Sequence, residues 1–289
     1  TMLKCILFLL SEYYFEIFRQ RSAEVIANIK KEAPWVEVGL QRPEGENCLW
    51  DQEKILPGET LLITDLPGAA NLYLEEGWYL AGLYHEKNKG MGFPAVRYGI
   101  EDVFALEHRS YEEIYRRLAG IPWNILETQR LRVRESTLED VDAFYRIYEE
   151  PDITRYMENL FPEKETELAY MKAYIAQIYG FYGYGLWSVL LKDGGRVIGR
   201  AGLSVREGYE LPELGFVIET VYQKRGYGFE VCVAILEYAK QELAFDRVQA
   251  LVKEGNLASK RLLGRLGFVY ERKVYEKDGE YELHTALLK

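Results

Sequence analysis

Two stretches in the last third of the chain bring together residue types that can do chemistry. Gln223-Lys224-Arg225-Gly226-Tyr227-Gly228 follows a strand-like segment in which Leu214, Phe216 and Ile218 alternate, and it leads into a helical pattern at Phe229, Cys232, Val233, Leu236 and Ala239. Gly226 and Gly228 remove side-chain bulk, so several backbone N–H groups can converge. A helix starting there adds its unpaired first-turn donors and the positive end of its dipole, which suits a diphosphate. Lys224 and Arg225 either add charge beside those phosphates or are solvated loop residues.

Glu213 opens the preceding strand and points to the face opposite Leu214 and Phe216. A carboxylate there can act as a general base, directly or through water. The competing reading is a salt-bridged strand end. Asn256 begins Asn256-Leu257-Ala258-Ser259-Lys260-Arg261 and is a favoured helix N-cap.

Gln-x-x-Gly-x-Gly after a strand resembles the acetyl-CoA-binding signature of the GNAT superfamily of acetyltransferases. Leu131-Arg132-Val133-Arg134, Val197-Ile198-Gly199 and Asn256-x-x-Ser259 ending in Leu266-Gly267-Phe268 resemble the branch that acetylates ribosomal-protein N-termini and, in relatives, polyamines or small amines. The resemblance covers Leu126 to Lys289. It implies a mixed, mostly antiparallel sheet whose strands splay to admit acetyl-CoA, with flanking helices. It places the pantetheine arm against the edge of Phe216, Val217 and Ile218 and the diphosphate on Gln223 to Phe229. By position it gives Asn256 a contact with the cofactor arm and Ser259 a part in the departure of the thiolate. The tyrosine acid of many relatives falls at Leu263, which leaves Ser259, a nearby tyrosine such as Tyr270, or water. The backbone N–H of Val217 is the expected oxyanion donor.

The elements follow from pattern. Leu131 to Arg134 reads as a strand, Ser136 and Thr137 as helix caps before a helix through Ala143, Tyr145, Ile147 and Tyr148, and Glu165 to Tyr179 as a second helix. Leu186 to Leu191 and Arg196 to Ser204 form a hairpin through Asp193-Gly194-Gly195. Arg247 to Lys253 alternates as a strand, and two more strands close the chain. The acceptor side is expected along Tyr156 to Trp187, where Glu158, Glu163, Glu165 and Glu167 accompany Tyr179, Phe181, Tyr182 and Tyr184. Those residues suit an amine through charge and cation–π contact, or simply serve the helix dipole and the core.

Before Leu126 the pattern is different. Lys4 to Leu10 and Trp35 to Leu40 read as strands around a helix from Glu12 to Glu32, Thr60 to Thr64 as a buried strand, Gly68 to Glu76 as a helix and Trp78 to Tyr84 as a strand. The alternation predicts a Rossmann-like α/β domain over 1–122, of accessory or regulatory role. A helix around Tyr111 to Leu118 closes it, and Gly120 to Ile125 links it to a GNAT domain over 126–289. Thr64-Asp65-Leu66-Pro67-Gly68-Ala69-Ala70 loosely resembles the second half of a haloacid-dehalogenase-type hydrolase. The nucleophile position of that family falls at Phe8-Leu9-Leu10-Ser11-Glu12, which lacks the paired aspartates, so phosphatase chemistry is not expected. Asp65 reads as a helix N-cap or turn residue rather than a metal ligand, and Asn88-Lys89-Gly90-Met91-Gly92-Phe93, with Lys87, as a plain turn rather than an anion-holding loop.

A chain of 289 residues with net charge −10 and 28% charged residues is ordinary globular material, and its acidity argues against a nucleic-acid backbone as partner. Cys5, Cys48 and Cys232 lack metal-ligand spacing, so no metal is expected and a reducing cytoplasm is the natural compartment. The apolar run Leu3 to Leu10 is too short to span a membrane and reads as a buried strand. The expected function is acetyl-CoA-dependent N-acetylation of a primary amine, a protein or peptide N-terminus or a small amine, by direct attack. The chain acts alone or as a homodimer. The alternative is a non-catalytic acyl-CoA-binding interaction module.

Overall fold

The computed structural model describes residues 2–43, 56–93 and 95–289, and Cys48 lies outside them. The chain divides into two compact units, Thr1–Trp123 and Asn124–Lys289.

The first unit is a parallel sheet with helical crossovers. Its elements are β1 (Cys5–Leu9), α1 (Glu12–Glu32), β2 (Glu37–Gln41), β3 (Thr60–Thr64), α2 (Pro67–Glu75), β4 (Tyr79–Leu83), β5 (Gly99–Ile100) and α3 (His108–Leu118). The five strands are ordered β2-β1-β3-β4-β5, and each neighbouring pair is parallel. A strand covered on both faces must be apolar throughout, and all five residues of β1 are buried. Ile6 and Phe8 pack with Val25 and Ile29 of α1 and with Tyr111 and Tyr115 of α3. Cys5, Leu7 and Leu9 face the other way, onto Ala70 of α2 and Phe93.

At the carboxyl ends of these strands Asp65 sits in the bend after β3, as the turn reading has it, and is not the helix N-cap. The N-cap of α2 is Leu66, without a side-chain capping bond. Asp65 is buried and instead accepts hydrogen bonds from the Ser11 N–H at 2.7 Å, from the Ser11 hydroxyl, and from His85 Nε2 at 2.9 Å. A buried carboxylate needs such donors, and these three tie the ends of β1, β3 and β4 together. The glycine-containing turn after His85 is anchored to the same place: Asn88 Nδ2 donates to the carbonyls of Asp65 and Leu83.

The second unit comprises β6 (Asn124–Glu127), β7 (Leu131–Arg134), α4 (Val141–Tyr148), α5 (Pro151–Thr154), α6 (Lys164–Tyr174), α7 (Gly180–Tyr182), β8 (Leu186–Leu191), β9 (Val197–Ser204), β10 (Glu213–Ile218), α8 (Tyr227–Gln241), β11 (Arg247–Lys253), α9 (Leu257–Arg265), β12 (Val269–Glu276) and β13 (Gly279–Leu287). Its first strand begins at Asn124, inside the expected linker. Eight strands form one sheet in the order β12-β13-β11-β10-β9-β8-β7-β6. Every neighbouring pair is antiparallel except β10 with β11. The β8–β9 turn places Gly194 and Gly195 at φ 76° and 64°, the left-handed region that a tight hairpin favours and glycine enters without strain.

α4 is joined to the sheet by charge. The guanidinium of Arg134 forks onto both oxygens of buried Asp140, at 2.7 and 2.8 Å, and Asp140 also accepts from the Thr137 N–H and the Ser188 hydroxyl. Phe144 and Ile147 of α4 then pack with Met171 of α6 and with Val217 of β10. The helix expected over Glu165 to Tyr179 is regular only to Tyr174; Ile175–Tyr179 widens to a π-helical turn. That turn carries Tyr179 into the core, where its hydroxyl donates to the Leu186 carbonyl at 2.6 Å and accepts from the Ser136 N–H at 3.1 Å.

Candidate active site

β10 and β11 part almost as soon as they meet. They share a single bridge, Glu213 opposite Gln249, whereas β10 pairs with β9 along its whole length. Beyond that bridge the β11 side of β10 has no strand partner among the described residues. In the gap lies a cavity of about 520 Å³, lined by Phe216, Val217 and Ile218 on one wall and by Asn256, Ala258 and Ser259 on the other.

Which backbone groups face this gap follows from alternation. The Glu219 N–H donates to the Ile198 carbonyl of β9 at 2.8 Å, and the β9–β10 register is unbroken. Residues two apart bond to the same neighbour, so Val217 is directed at β9 while Phe216 and Ile218 turn their N–H groups to the gap. Val217 lines the cavity but does not supply the expected oxyanion N–H. Phe216 is the residue whose backbone can.

The Gly-rich loop closes the wider end, with Gln223, Lys224, Gly226, Gly228 and Phe229 in the cavity wall. Gln223 Nε2 donates to the Ile218 carbonyl at 2.9 Å, folding the loop back onto the strand end. Lys224 and Gly226 adopt φ 59° and 86°. For lysine that conformation costs about 1–2 kcal/mol, a strain typical of ligand-binding loops. Gly226 is the N-cap of α8, and no side chain caps that helix. The first-turn N–H groups therefore have no side-chain cap and can donate to a ligand in the cavity. The expected apolar stripe of α8 is shifted: Val231, Cys232, Ile235 and Ala239 are the buried positions.

α9 contributes the opposite wall. Asn256 is its N-cap, with Oδ1 accepting from the Ser259 N–H at 3.1 Å. Arg261 and Arg265 bring cations to the cavity, Arg265 with its guanidinium 4.2 Å from the Phe229 ring centroid. Lys224, Arg261 and Arg265 together make this end electropositive, and the donor set fits an anionic phosphate group. Arg225 turns its carbonyl toward the guanidinium of Arg130, which donates to it at 3.0 Å. Tyr227 carries that same guanidinium over its ring at 4.2 Å. Neither Arg130 nor this contact was legible in sequence, because about 95 positions separate the partners.

Glu213 stands at the narrow end, on the same face of β10 as Val217, and is not in the cavity wall. Its carboxylate is paired with Arg206: Nη2 donates to Oε1 at 3.1 Å, and Nε contacts Oε2 more closely. Burial pushes the Glu213 carboxyl above the ordinary glutamate range, and the Arg206 guanidinium only partly offsets this. The structure thus contains the salt bridge of one reading, beside a carboxyl whose raised proton affinity is compatible with the other.

Other expectations change. Leu263 is fully buried, and Tyr270 lies half exposed on β12 against His284, away from the cavity wall. Within Tyr156 to Trp187, Tyr156 and Met157 reach the cavity. Tyr156 donates its hydroxyl to the Gly255 carbonyl at 3.2 Å, beside Asn256. Glu167 is buried and accepts from the Phe161 N–H at 3.1 Å, a structural use.

Comparison with known proteins addresses the second unit. Residues 130–269 match the acetyltransferase (GNAT) domain family. The chain is 28% identical over 168 residues to the uncharacterized N-acetyltransferase YoaA of Bacillus subtilis, covering 56% of this chain and 94% of that protein. Identity to YnaD of the same organism is 28% over 169 residues, covering 56% of this chain and 96% of that protein. The ribosomal-protein-S5-alanine acetyltransferase of Vibrio fischeri superposes with a TM-score of 0.49 at 15% identity, over 57% of this chain and 96% of that one. The second unit of this chain is accordingly a GNAT-family N-acetyltransferase domain, which takes its acetyl group from acetyl-CoA.

Proposed function

We propose that the second unit acetylates a primary amine, a peptide N-terminus or a small amine, by direct attack of the nitrogen on the thioester. The observation that carries this reading is the single bridge between β10 and β11, beyond which a donor-lined cavity lies between Phe216–Ile218, α9 and the glycine loop. The pantetheine arm adds to the free edge of β10 at Phe216 and Ile218, as an extra strand would. The diphosphate takes the N–H groups of Gly226, Tyr227, Gly228 and Phe229, with Lys224 and Arg261 nearby. Asn256 and Ser259 meet the arm from the α9 side.

For transfer, Glu213 accepts the ammonium proton directly or through one water, and its raised proton affinity suits that task near neutral pH. As the amine nitrogen bonds to the thioester carbon, the Phe216 N–H steadies the oxygen on which charge collects. As carbon–sulfur cleavage releases CoA thiolate, the second proton lost by the nitrogen passes to it, relayed by the Ser259 hydroxyl. We also take residues 1–122 as an accessory domain of Rossmann-like type, and the cytoplasm as the compartment, with a homodimer as the assembly.

The test is calorimetric titration with CoA, followed by thiol release from acetyl-CoA against a panel of amines and peptides. CoA uptake with steady turnover on at least one acceptor supports the reading. Uptake without turnover on any acceptor would favour a binding module, and no uptake would remove both.

A further inference from the structure

We infer that Arg130 is a positioning residue for the donor diphosphate, acting through one peptide unit of the glycine loop. This rests on acetyl-CoA binding at that loop. Arg130 lies in the turn between β6 and β7, outside the cavity wall. Its Nε donates to Glu230 Oε2 at 2.6 Å, its backbone N–H donates to Glu230 Oε1 at 3.0 Å, and its guanidinium lies 4.2 Å from the Tyr227 ring centroid. Held on these sides, it has Nη1 left to donate to the Arg225 carbonyl at 3.0 Å.

The consequence comes from peptide geometry. In a planar trans peptide the C=O and the following N–H point in opposite directions. Gripping the Arg225 carbonyl from outside therefore turns the Gly226 N–H away from Arg130, and Gly226 lines the cavity. Of the flanking φ values, 86° at Gly226 is open to glycine, while 59° at Lys224 is disfavoured for a lysine, so a contact that fixes the intervening peptide helps to hold the loop. A Cβ at Gly226 would stand 3.4 Å from Arg130 Nη2, which shows how closely the side chain is seated.

Charge gives a second reason for an arginine here. Glu230 sits in the first turn of α8, where its negative charge opposes an incoming diphosphate. Arg130 neutralises it, and the Thr128 hydroxyl donates to Glu230 Oε1 at 2.6 Å. The helix end is thereby left with its own dipole and donors facing the cavity.

The test compares two acetyl donors: acetyl-CoA, and S-acetylpantetheine, which lacks the diphosphate. For Arg130→Gln the expected result is a KM for acetyl-CoA raised about 10- to 100-fold, as for loss of a charged hydrogen bond, with kcat nearly unchanged. Its kcat/KM with S-acetylpantetheine should match wild type. Arg130→Lys restores the charge but not the fork, so it should melt like wild type and still show the raised KM. An unchanged KM for acetyl-CoA in both variants, or an equal loss with both donors, would overturn the inference. Wild-type protein that uses neither donor would instead remove the reading beneath it.

Discussion

At the scale of single residues, Glu213 carries the sharpest prediction. A base must be unprotonated to act, so activity should fall as pH drops through its raised pKa. The acid limb of kcat/KM should therefore lie above the ordinary glutamate range. Glu213→Gln should lower kcat by about 10²- to 10⁴-fold and abolish that limb. A pH profile of the variant that keeps the wild-type acid limb would assign the proton to another group. Sequence named Glu213 because period-two alternation sets its face, but it did not reveal Arg206, seven positions away across a loop whose path only the fold decides. Asn256 was legible for the same local reason: a cap acts within its own turn, here on Ser259. Val217 was misread because sequence fixes the side-chain face of a strand residue, while the direction of its N–H depends on which neighbour it pairs with.

At the scale of elements, the strand, glycine loop and helix that form the diphosphate end were readable as a unit, since alternation, glycine spacing and helical period each change at a definite residue. The parting of β10 from β11 was expected only from the family resemblance, not from the residues' own pattern, and the Glu213–Gln249 bridge marks where it begins. The π-helical turn at Ile175–Tyr179 was hidden likewise, because the buried hydrogen bonds of Tyr179 outweigh a regular helical pattern. The loop geometry gives a direct test. Gly226→Ala places a Cβ at φ 86° and close to Arg130, a strain of about 1–2 kcal/mol. The expected outcome is a modestly lower melting temperature and a raised KM for acetyl-CoA, read from steady-state kinetics at saturating acceptor. An unchanged KM would mean the loop does not need its left-handed residue to receive the donor.

At the scale of the whole molecule, a chain with net charge −10 must hold many carboxylates as anions, and stability depends on where they are held. Asp140 is the clearest case in the second unit. Burial alone would push its carboxyl up, yet the Arg134 fork, the Thr137 N–H and the Ser188 hydroxyl win and hold it below the usual aspartate range. A folded pKa below the unfolded one gives stability that is fully present above the unfolded value, about 3.9, and is lost as pH falls through the folded value. Melting temperature should therefore hold from neutral pH down to about pH 5 and decline steeply below about pH 4. Asp140→Asn separates this group from the other carboxylates. It leaves the largely buried Arg134 without its counter-ion, so at pH 7 the second unit should lose about 3–5 kcal/mol, while its decline in acid becomes shallower than wild type. Parallel acid declines in the two proteins would show that the α4 attachment is not the acid-labile joint.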